Sequence, residues 1–485
     1  MNMMQHTFDF QSPRLSPRPV PAISRAIGAI APLLLLGLIV QAFYRSGVAS
    51  WGVGIAYISY DTALLLFTAW SIWPLAKQSR IAAPPALPSS GPRPALGVII
   101  AAHNEAAVLS ITIDTLLAQD EAPDAILLVD DGSTDESAQV LAELYGLAKP
   151  DLGSVSAPAA KLPSLRWLRL PHGGKARALN AALLHLDTEL MMTVDADTLL
   201  APGSLAAMRR AFASQPRLVA ATGVLVPICG PTPMQRMFEA FQRYEYVRNF
   251  LSRYAWMRQN GLLLISGAFA GFRREAVIEV GGFDPDCMVE DYELIHRLHR
   301  HSVDAGRQWQ VGVVGAASAS TDAPARPMAF LRQRRRWFGG FLQTQHWNRD
   351  MVGNARYGRL GTRMLPVKAL DTLQPVFGLT AIAILLFLIA THRFALVLPI
   401  LGIMIAKIIV DLTFHLWSIG VYRRWTGHSY GLGLGQALLI SFAEPFSFQL
   451  LRHVGALWGW VAFLSGGSAW GRQTRTAIAA LDRAA

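Results

Sequence analysis

Met191-Met192-Thr193-Val194-Asp195-Ala196-Asp197-Thr198 is an apolar run that stops abruptly on two acids one residue apart. If residues 190–194 form a strand, side chains two apart leave on the same side. Both carboxylates then face one point just beyond the strand end. Two hard oxygen donors there suit Mg²⁺ or Mn²⁺, with water and a substrate diphosphate completing the shell. In a sheet covered by helices, ligands sit at the carboxyl ends of the strands. A solvated acidic turn would carry the same letters, so the neighbourhood must decide.

Outward from that stretch, short apolar runs alternate with amphipathic segments. Residues 96–102, 125–129, 165–170 and 190–194 read as buried strands. His103-Asn104-Glu105 leads into a helix to about 119, Asp130-Asp131-Gly132-Ser133-Thr134-Asp135 into a second, and His172-Gly173-Gly174-Lys175 into a third. Residues 149–164 form a Pro/Ala/Ser-rich surface insertion. This alternation predicts an α/β fold with a mostly parallel, right-handed wound sheet. A further strand over 218–226 precedes a helix over 234–258 with Phe, Tyr and Met at helical spacing and Arg on its other faces. A core helix would fit, but the pattern favours the membrane interface. Residues 327–347 have the same character.

The 485-residue chain is 52% hydrophobic and 16% charged, and its apolar residues gather at both ends. That distribution predicts a soluble domain carried between membrane segments. Residues 1–25 are polar and Pro-containing and predict a disordered cytoplasmic N-terminus. Residues 26–76 predict two transmembrane helices, since no small-residue cleavage site marks the first as a signal peptide. Asp61 interrupts the second, and at that depth a lone acid must face protein or water. Residues 81–94 are a Pro-rich linker, 363–470 predict three to four further spans, and 471–485 a C-terminal tail. Five or six spans in all are expected. Arg before the first run, with Lys77 and Arg80 after the second, puts the central domain in the cytoplasm of a multi-pass protein of the inner (plasma) membrane.

The net charge of +11 carries no nucleic-acid signature: there are no zinc-finger spacings and no basic region joined to heptads. Arg lies mostly beside apolar runs, which suits an anionic leaflet and a negatively charged nucleotide. Cys229 and Cys287 read as free thiols.

Asp130 and Asp131 end a strand and can accept from a uracil N–H or a ribose hydroxyl, while Ser133 or Asp135 can simply cap the helix. Gly173-Gly174-Lys175 resembles an anion cradle made of backbone N–H groups, a helix N-terminus and a Lys near a diphosphate. Asp291, in the first turn of a helix to about 300, suits a general base for an attacking hydroxyl, although acids there also favour the helix dipole. His296, His299 and His301 hint at zinc, but no Cys or carboxylate set completes the site. Gln333-Arg334-Arg335-Arg336-Trp337 offers an indole to stack on a sugar and guanidiniums to meet a departing diphosphate. A basic membrane-surface patch would look alike.

Together these residues resemble the membrane-embedded processive glycosyltransferases of family two, which have a GT-A catalytic domain and include cellulose, hyaluronan, chitin and poly-N-acetylglucosamine synthases. The resemblance covers residues 95–347 and rests on Ala102-His103-Asn104-Glu105, Val129-Asp130-Asp131-Gly132-Ser133, Gly174-Lys175-Ala176-Arg177-Ala178-Leu179-Asn180, Asp195-Ala196-Asp197, Ser266-Gly267-Ala268, Glu290-Asp291 and Gln333-x-x-Arg336-Trp337. It implies that Glu105 and Asp130 or Asp131 hold the nucleoside of a UDP-sugar and Lys175 its diphosphate. Asp195 and Asp197 would hold the metal, and Asp291 would be the base. Gln333, Arg336 and Trp337 would form the acceptor and diphosphate-facing site. The base motif usually starts with Thr and here starts with Val289. The loop at 266–268 is more like that of the amino-sugar polymerases. The expectation is an inverting, metal-dependent transferase extending a glycan and exporting it, with an accessory subunit left open. Ceramide glucosyltransferases resemble the pattern too, which makes single transfer to a membrane lipid the alternative. A transporter or nucleotide-sugar sensor would have no need of Asp291.

Overall fold

The computed structural model describes residues 2–77, 93–427, 433–466 and 478. A short helix α1 (Asn2–Gln11) precedes two long ones, α2 (Ala22–Tyr44) and α3 (Gly52–Lys77). The central domain opens with β1 (Leu96–Ala102), α4 (Ala106–Leu117), β2 (Ala125–Asp131), α5 (Ser137–Tyr145), β3 (Leu165–Leu170), α6 (Lys175–Leu183) and β4 (Leu190–Asp195). It continues through β5 (Thr198–Leu200), α7 (Ser204–Ser214), β6 (Leu218–Ile228), α8 (Pro233–Met257), β7 (Phe269–Arg273), α9 (Arg274–Glu279), α10 (Glu290–Asp304), β8 (Gln310–Asp322) and α11 (Pro327–Trp347). The chain then runs through α12 (Leu365–Asp371), α13 (Gln374–Ala390), α14 (Phe394–Thr426), α15 (Leu434–Ala443) and α16 (Phe448–Leu464).

One eight-stranded sheet has the order β3-β2-β1-β4-β7-β6-β8-β5. Strands β3, β2, β1 and β4 are parallel neighbours, as their continuous apolar runs require of strands covered on both faces. Beyond them the sheet is mixed: β7 lies antiparallel between β4 and β6, β8 runs parallel to β6, and β5 closes antiparallel on β8. The antiparallel β7 brings the 266–268 loop beside the end of β4. The Asp195 N–H donates to the Ala268 carbonyl at 3.2 Å.

Four helical stretches are long and apolar enough to cross a membrane: Ala22–Tyr44, Gly47–Lys77, Leu360–Ala390 and Phe394–Thr426. The expectation of five or six is corrected among the described residues. Glu444-Pro445 interrupts the apolar run after 432, leaving α15 with 10 residues and α16 with 17, and about 20 are needed to span hydrocarbon. Instead α16 lies against α11. The backbones meet at Gly459, where an added Cβ would fall 2.5 Å from the Arg335 carbonyl oxygen.

Helix α8 packs as a core helix, with Phe238, Phe241, Tyr244, Val247 and Phe250 buried. A Thr232–Gln235 capping box starts it. One side packs on the sheet while another runs parallel beside α3, with Arg258 donating to the Ser71 carbonyl at 3.0 Å and Arg248 3.6 Å from Asp61. The N-terminus also departs from expectation. It is not disordered: α1 and the turn after it fold back onto the central domain, burying Phe8 and Ser12. Of the 81–94 linker, residues 81–92 lie outside the described residues, as does the 471–485 tail apart from Ile478.

Candidate active site

Each parallel strand delivers a motif to the same edge. At the end of β1, Asn104 sits at φ 57°, and its side-chain oxygen accepts from the N–H groups of Thr134 and Asp135 at 2.8 and 3.2 Å. The β1 and β2 ends are thereby knitted together. Asp130 accepts from the Ser133 N–H at 2.7 Å. Asp131 accepts from the Gly173 and Gly174 N–H groups at 2.7 and 2.9 Å and lies 3.0 Å from the His172 ring nitrogen. The two glycine N–H groups expected to cradle a diphosphate are therefore turned onto Asp131, fixing the turn that starts α6. Gly174, at φ 90°, adopts a conformation that disfavours any side chain. Glu105 is buried at the start of α4 on this edge.

The next turn brings the charge-bearing groups together. Lys175 at the start of α6 places its ammonium 2.5 Å from Asp195 and 3.6 Å from Glu290 at the start of α10. Burial alone would lower the pKa of that Lys, but the two carboxylates outweigh it and push it up. Burial raises the Glu290 carboxyl, with Asp291 adding to the rise, against the pull of Lys175 and Arg336. The Arg336 guanidinium thus acts on the same cluster from α11. Asp291 accepts from the Gly267 N–H at 2.7 Å, and Thr193 on β4 donates to the Gly267 carbonyl at 3.1 Å. Asp195, Gly267 and Asp291 form one contiguous edge.

Asp197 lies in the turn between β4 and β5 and is 2% exposed. The pair supplies two oxygen-bearing side chains at the sheet edge, the donor chemistry a hard divalent cation takes. Among the described residues, the only cluster of three candidate metal ligands is a different one, His103, Asp131 and His172, whose two imidazoles stack 4.2 Å apart. The three histidines of α10 do not converge: His296 faces the Tyr292 carbonyl, His299 the Leu262 carbonyl and His301 the Glu279 carboxylate.

Gln333 is buried, and Arg336 and Trp337 are partly exposed on α11. Sequence reasoning missed their support. Arg334 stacks 4.4 Å from the Trp337 ring centroid and forms two hydrogen bonds, at 2.9 and 2.7 Å, with the buried Glu245 on α8. Val289, the residue that differs from the usual motif, packs against Gly340 of α11, where a Cβ would collide with it. Gly339-Gly340 just after Trp337 was the available signal for that close approach.

Residues 97–281 match the model of glycosyl transferase family 2, and residues 190–408 match that of glycosyl transferase family group 2. The chain carries a family 2 glycosyltransferase domain and is a glycosyltransferase. It is 26% identical over 357 residues to a beta-monoglucosyldiacylglycerol synthase of a Nostoc species, covering 70% of this chain and 68% of the relative. It is 25% identical over 209 residues to the poly-beta-1,6-N-acetyl-D-glucosamine synthase of Staphylococcus epidermidis, covering 42% of this chain and 45% of that one. The chain thus spans less than half the length of the second relative. Among solved structures it is similar to a mannosyltransferase from Pyrobaculum calidifontis in complex with GDP-Man and Mn²⁺, with a TM-score of 0.53 and 22% identity over 76% of this chain and 97% of that one. The fold is that of the GT-A glycosyltransferases.

Proposed function

We propose that this protein is an inverting, metal-dependent transferase that moves a sugar from a UDP-sugar to an acceptor at the cytoplasmic face of the membrane. The observation that carries the reading is the meeting of Lys175, Asp195 and Glu290 beside Asp291, with Gly267 holding the Asp291 carboxylate. Asp291 accepts the proton of the acceptor hydroxyl as that oxygen attacks the anomeric carbon from the side opposite the diphosphate. Lys175 and Arg336 offset the charge that develops on the leaving group. Glu105, Asp130 and the turn fixed by Asp131 shape the nucleoside end. Gln333 and Trp337 face the acceptor. Asp195 and Asp197 would hold Mg²⁺ or Mn²⁺, which when bound supplies further neutralisation of diphosphate charge; the similar mannosyltransferase carries Mn²⁺ with its nucleotide sugar.

The acceptor is a growing glycan in the first reading. Polar side chains support it, because they lead from Trp337 into the membrane helices. Arg334 meets Glu245, and Arg452 of α16 lies 3.8 Å from both Glu245 and Glu444. Asp61 is met by Arg248 of α8 and, at 2.7 Å, by Lys407 of α14. Charged groups at such depth are costly unless they serve a polar route or partner. The second reading, transfer to a membrane lipid, is favoured by the longer stretch of likeness to the glucosyldiacylglycerol synthase.

The test is purified protein in lipid with a panel of UDP- and GDP-sugars. The expected result is UDP release that requires both a divalent cation and an acceptor. Long products on a gel support the glycan reading, and one-sugar lipid products defeat it. Release unaffected by chelator would overturn metal dependence.

A further inference from the structure

The segment before the first membrane helix is tied to the loop that carries the base. Residues 280–289 join β7 and α9 to the start of α10, so their path sets where Glu290 and Asp291 point. From inside the domain, Asn180 of α6 holds both backbone groups of Phe283, at 2.7 and 2.8 Å. Arg297 of α10 donates to the Val280 and Gly282 carbonyls, each at 2.6 Å, while paired with the fully buried Glu293. That leaves a second fully buried acid in the loop, Asp284. Its counter-charge comes from the far end of the sequence.

Arg14 donates twice to Asp284, at 3.2 and 3.0 Å, reaches Asp286 at 3.1 Å, and lies 5.6 Å from the Trp347 ring centroid at the end of α11. Phe8 of α1 packs on Gly281 and lies 5.1 Å from the Arg297 guanidinium. Arg18 then pairs with Asp304 at the end of α10 and donates to the Tyr357 hydroxyl at 3.2 Å. Ser24, in the first turn of α2, donates to the Val352 carbonyl. Two buried acids, Asp284 and Glu293, are thus balanced by two guanidiniums, one of them supplied by the N-terminal segment. A buried carboxylate stripped of its partner is strongly unfavourable, so the loop cannot keep this path without Arg14.

We propose that residues 2–18 form a strap that positions the catalytic base, with Arg14 as its positioning residue: by neutralising Asp284 it fixes the loop that aims Asp291, and through α2 it ties that aim to the membrane. The inference rests on Asp291 being the base. Misplacement of a reacting group by about 1 Å costs up to about 100-fold in rate.

The experiment compares full-length Arg14→Ala, Arg14→Lys, Arg18→Ala and a variant lacking residues 2–18, all in lipid, by steady-state kinetics and by hydrogen exchange at residues 282–292. Arg14→Ala is expected to lower kcat about tenfold with donor KM unchanged and to speed exchange in the loop. Arg14→Lys should recover part of the rate, and Arg18→Ala, a half-exposed pair, should change it less than about twofold. A synthetic peptide of residues 2–18 added to the truncated protein should restore kcat saturably, which a loss of folding would not allow. Undiminished kcat in Arg14→Ala or in the truncated protein, or a kcat increase on truncation, would overturn the strap. Asp291→Asn run alongside separates the two ideas: if it stays active, the base assignment has failed; if it is dead while Arg14→Ala is normal, only the strap has.

Discussion

The two halves of the sheet are built differently. Strands β3, β2 and β1 each pass straight into the turn and helix that carry their motif, and β4 into the turn before β5, so His103 to Glu105, Asp130 to Asp135, Gly173 to Lys175 and Asp195 to Asp197 are held by residues close by in sequence or on the neighbouring strand. The other half, around β7, β6 and β8, holds its chemistry at long range. Asp291 is fixed by Gly267, Trp337 by Arg334 and through it Glu245, and the loop before Asp291 by Asn180 and Arg14. In the proposed function the first half is the donor platform, assembled locally, and the second is the acceptor side, whose geometry depends on helices that also touch the membrane segments.

That contrast can be broken most severely at Asp291. Asp291→Asn is expected to lower kcat by about 10³-fold while donor affinity, read by calorimetry with UDP, stays unchanged. Near-normal kcat would move the base elsewhere. Next in size is the buried Arg334–Glu245 pair. Arg334→Met alone should cost up to about 3–5 kcal/mol of stability by leaving the buried Glu245 with only the more distant Arg452 as counter-charge, with part returned in Arg334→Met/Glu245→Leu. Thermal unfolding in detergent measures this, and equal melting of all three proteins would show that the pair does not hold the acceptor side. On the donor side, Asp195→Ala is expected to weaken UDP-sugar binding about 100-fold and to abolish its dependence on divalent cation. Unchanged binding would detach the metal from this turn.

Acid should separate the halves. Burial holds the His296 imidazole down at about 3 from the usual 6.5, and burial lowers His299 too. Both are held toward the neutral form, so their contribution is complete above the usual 6.5 and is lost as pH falls, for His296 toward about 3. Hydrogen exchange should therefore show α10 losing protection before β1 and β2 on acidification, and simultaneous loss would count against two halves of different stability. The smallest effect sharpens the contact between α10 and α11. Gly340→Ala should cost about 1–3 kcal/mol through its clash with Val289, and Val289→Ala should recover part of it, both read as shifts in unfolding midpoint.

The parallel strands, the motif turns and the D-x-D pair were legible because a buried strand followed by a polar turn is a local pattern, with spacing set by the backbone. The sequence also marked Asp291, Gln333, Arg336 and Trp337 by residue type, but of the mixed half of the sheet only the strand over 218–226 left such a trace. Periodicity identifies a strand but not its direction, so the antiparallel insertion of β7 was invisible. The N-terminus was misread for a related reason: residues 1–25 are polar and Pro-containing, and composition carries no sign that Arg14 answers an acid 270 positions away. Residues 432–465 looked like two spans because hydropathy averages across Glu444-Pro445, whereas the backbone does not.

By itself the sequence determined the α/β class, the donor-side motifs, the membrane flanks and the candidate acid, metal-binding and base residues, since each is written within a few residues of itself. Tertiary structure alone decided that Lys175, Asp195, Glu290 and Asp291 meet, that Asp131 takes the two glycine N–H groups, that Arg14 pairs with Asp284 and that α16 packs on α11. Those outcomes depend on which buried charge finds which partner and on backbones close enough to need glycine. Both are properties of distance in space, which order along a chain does not encode.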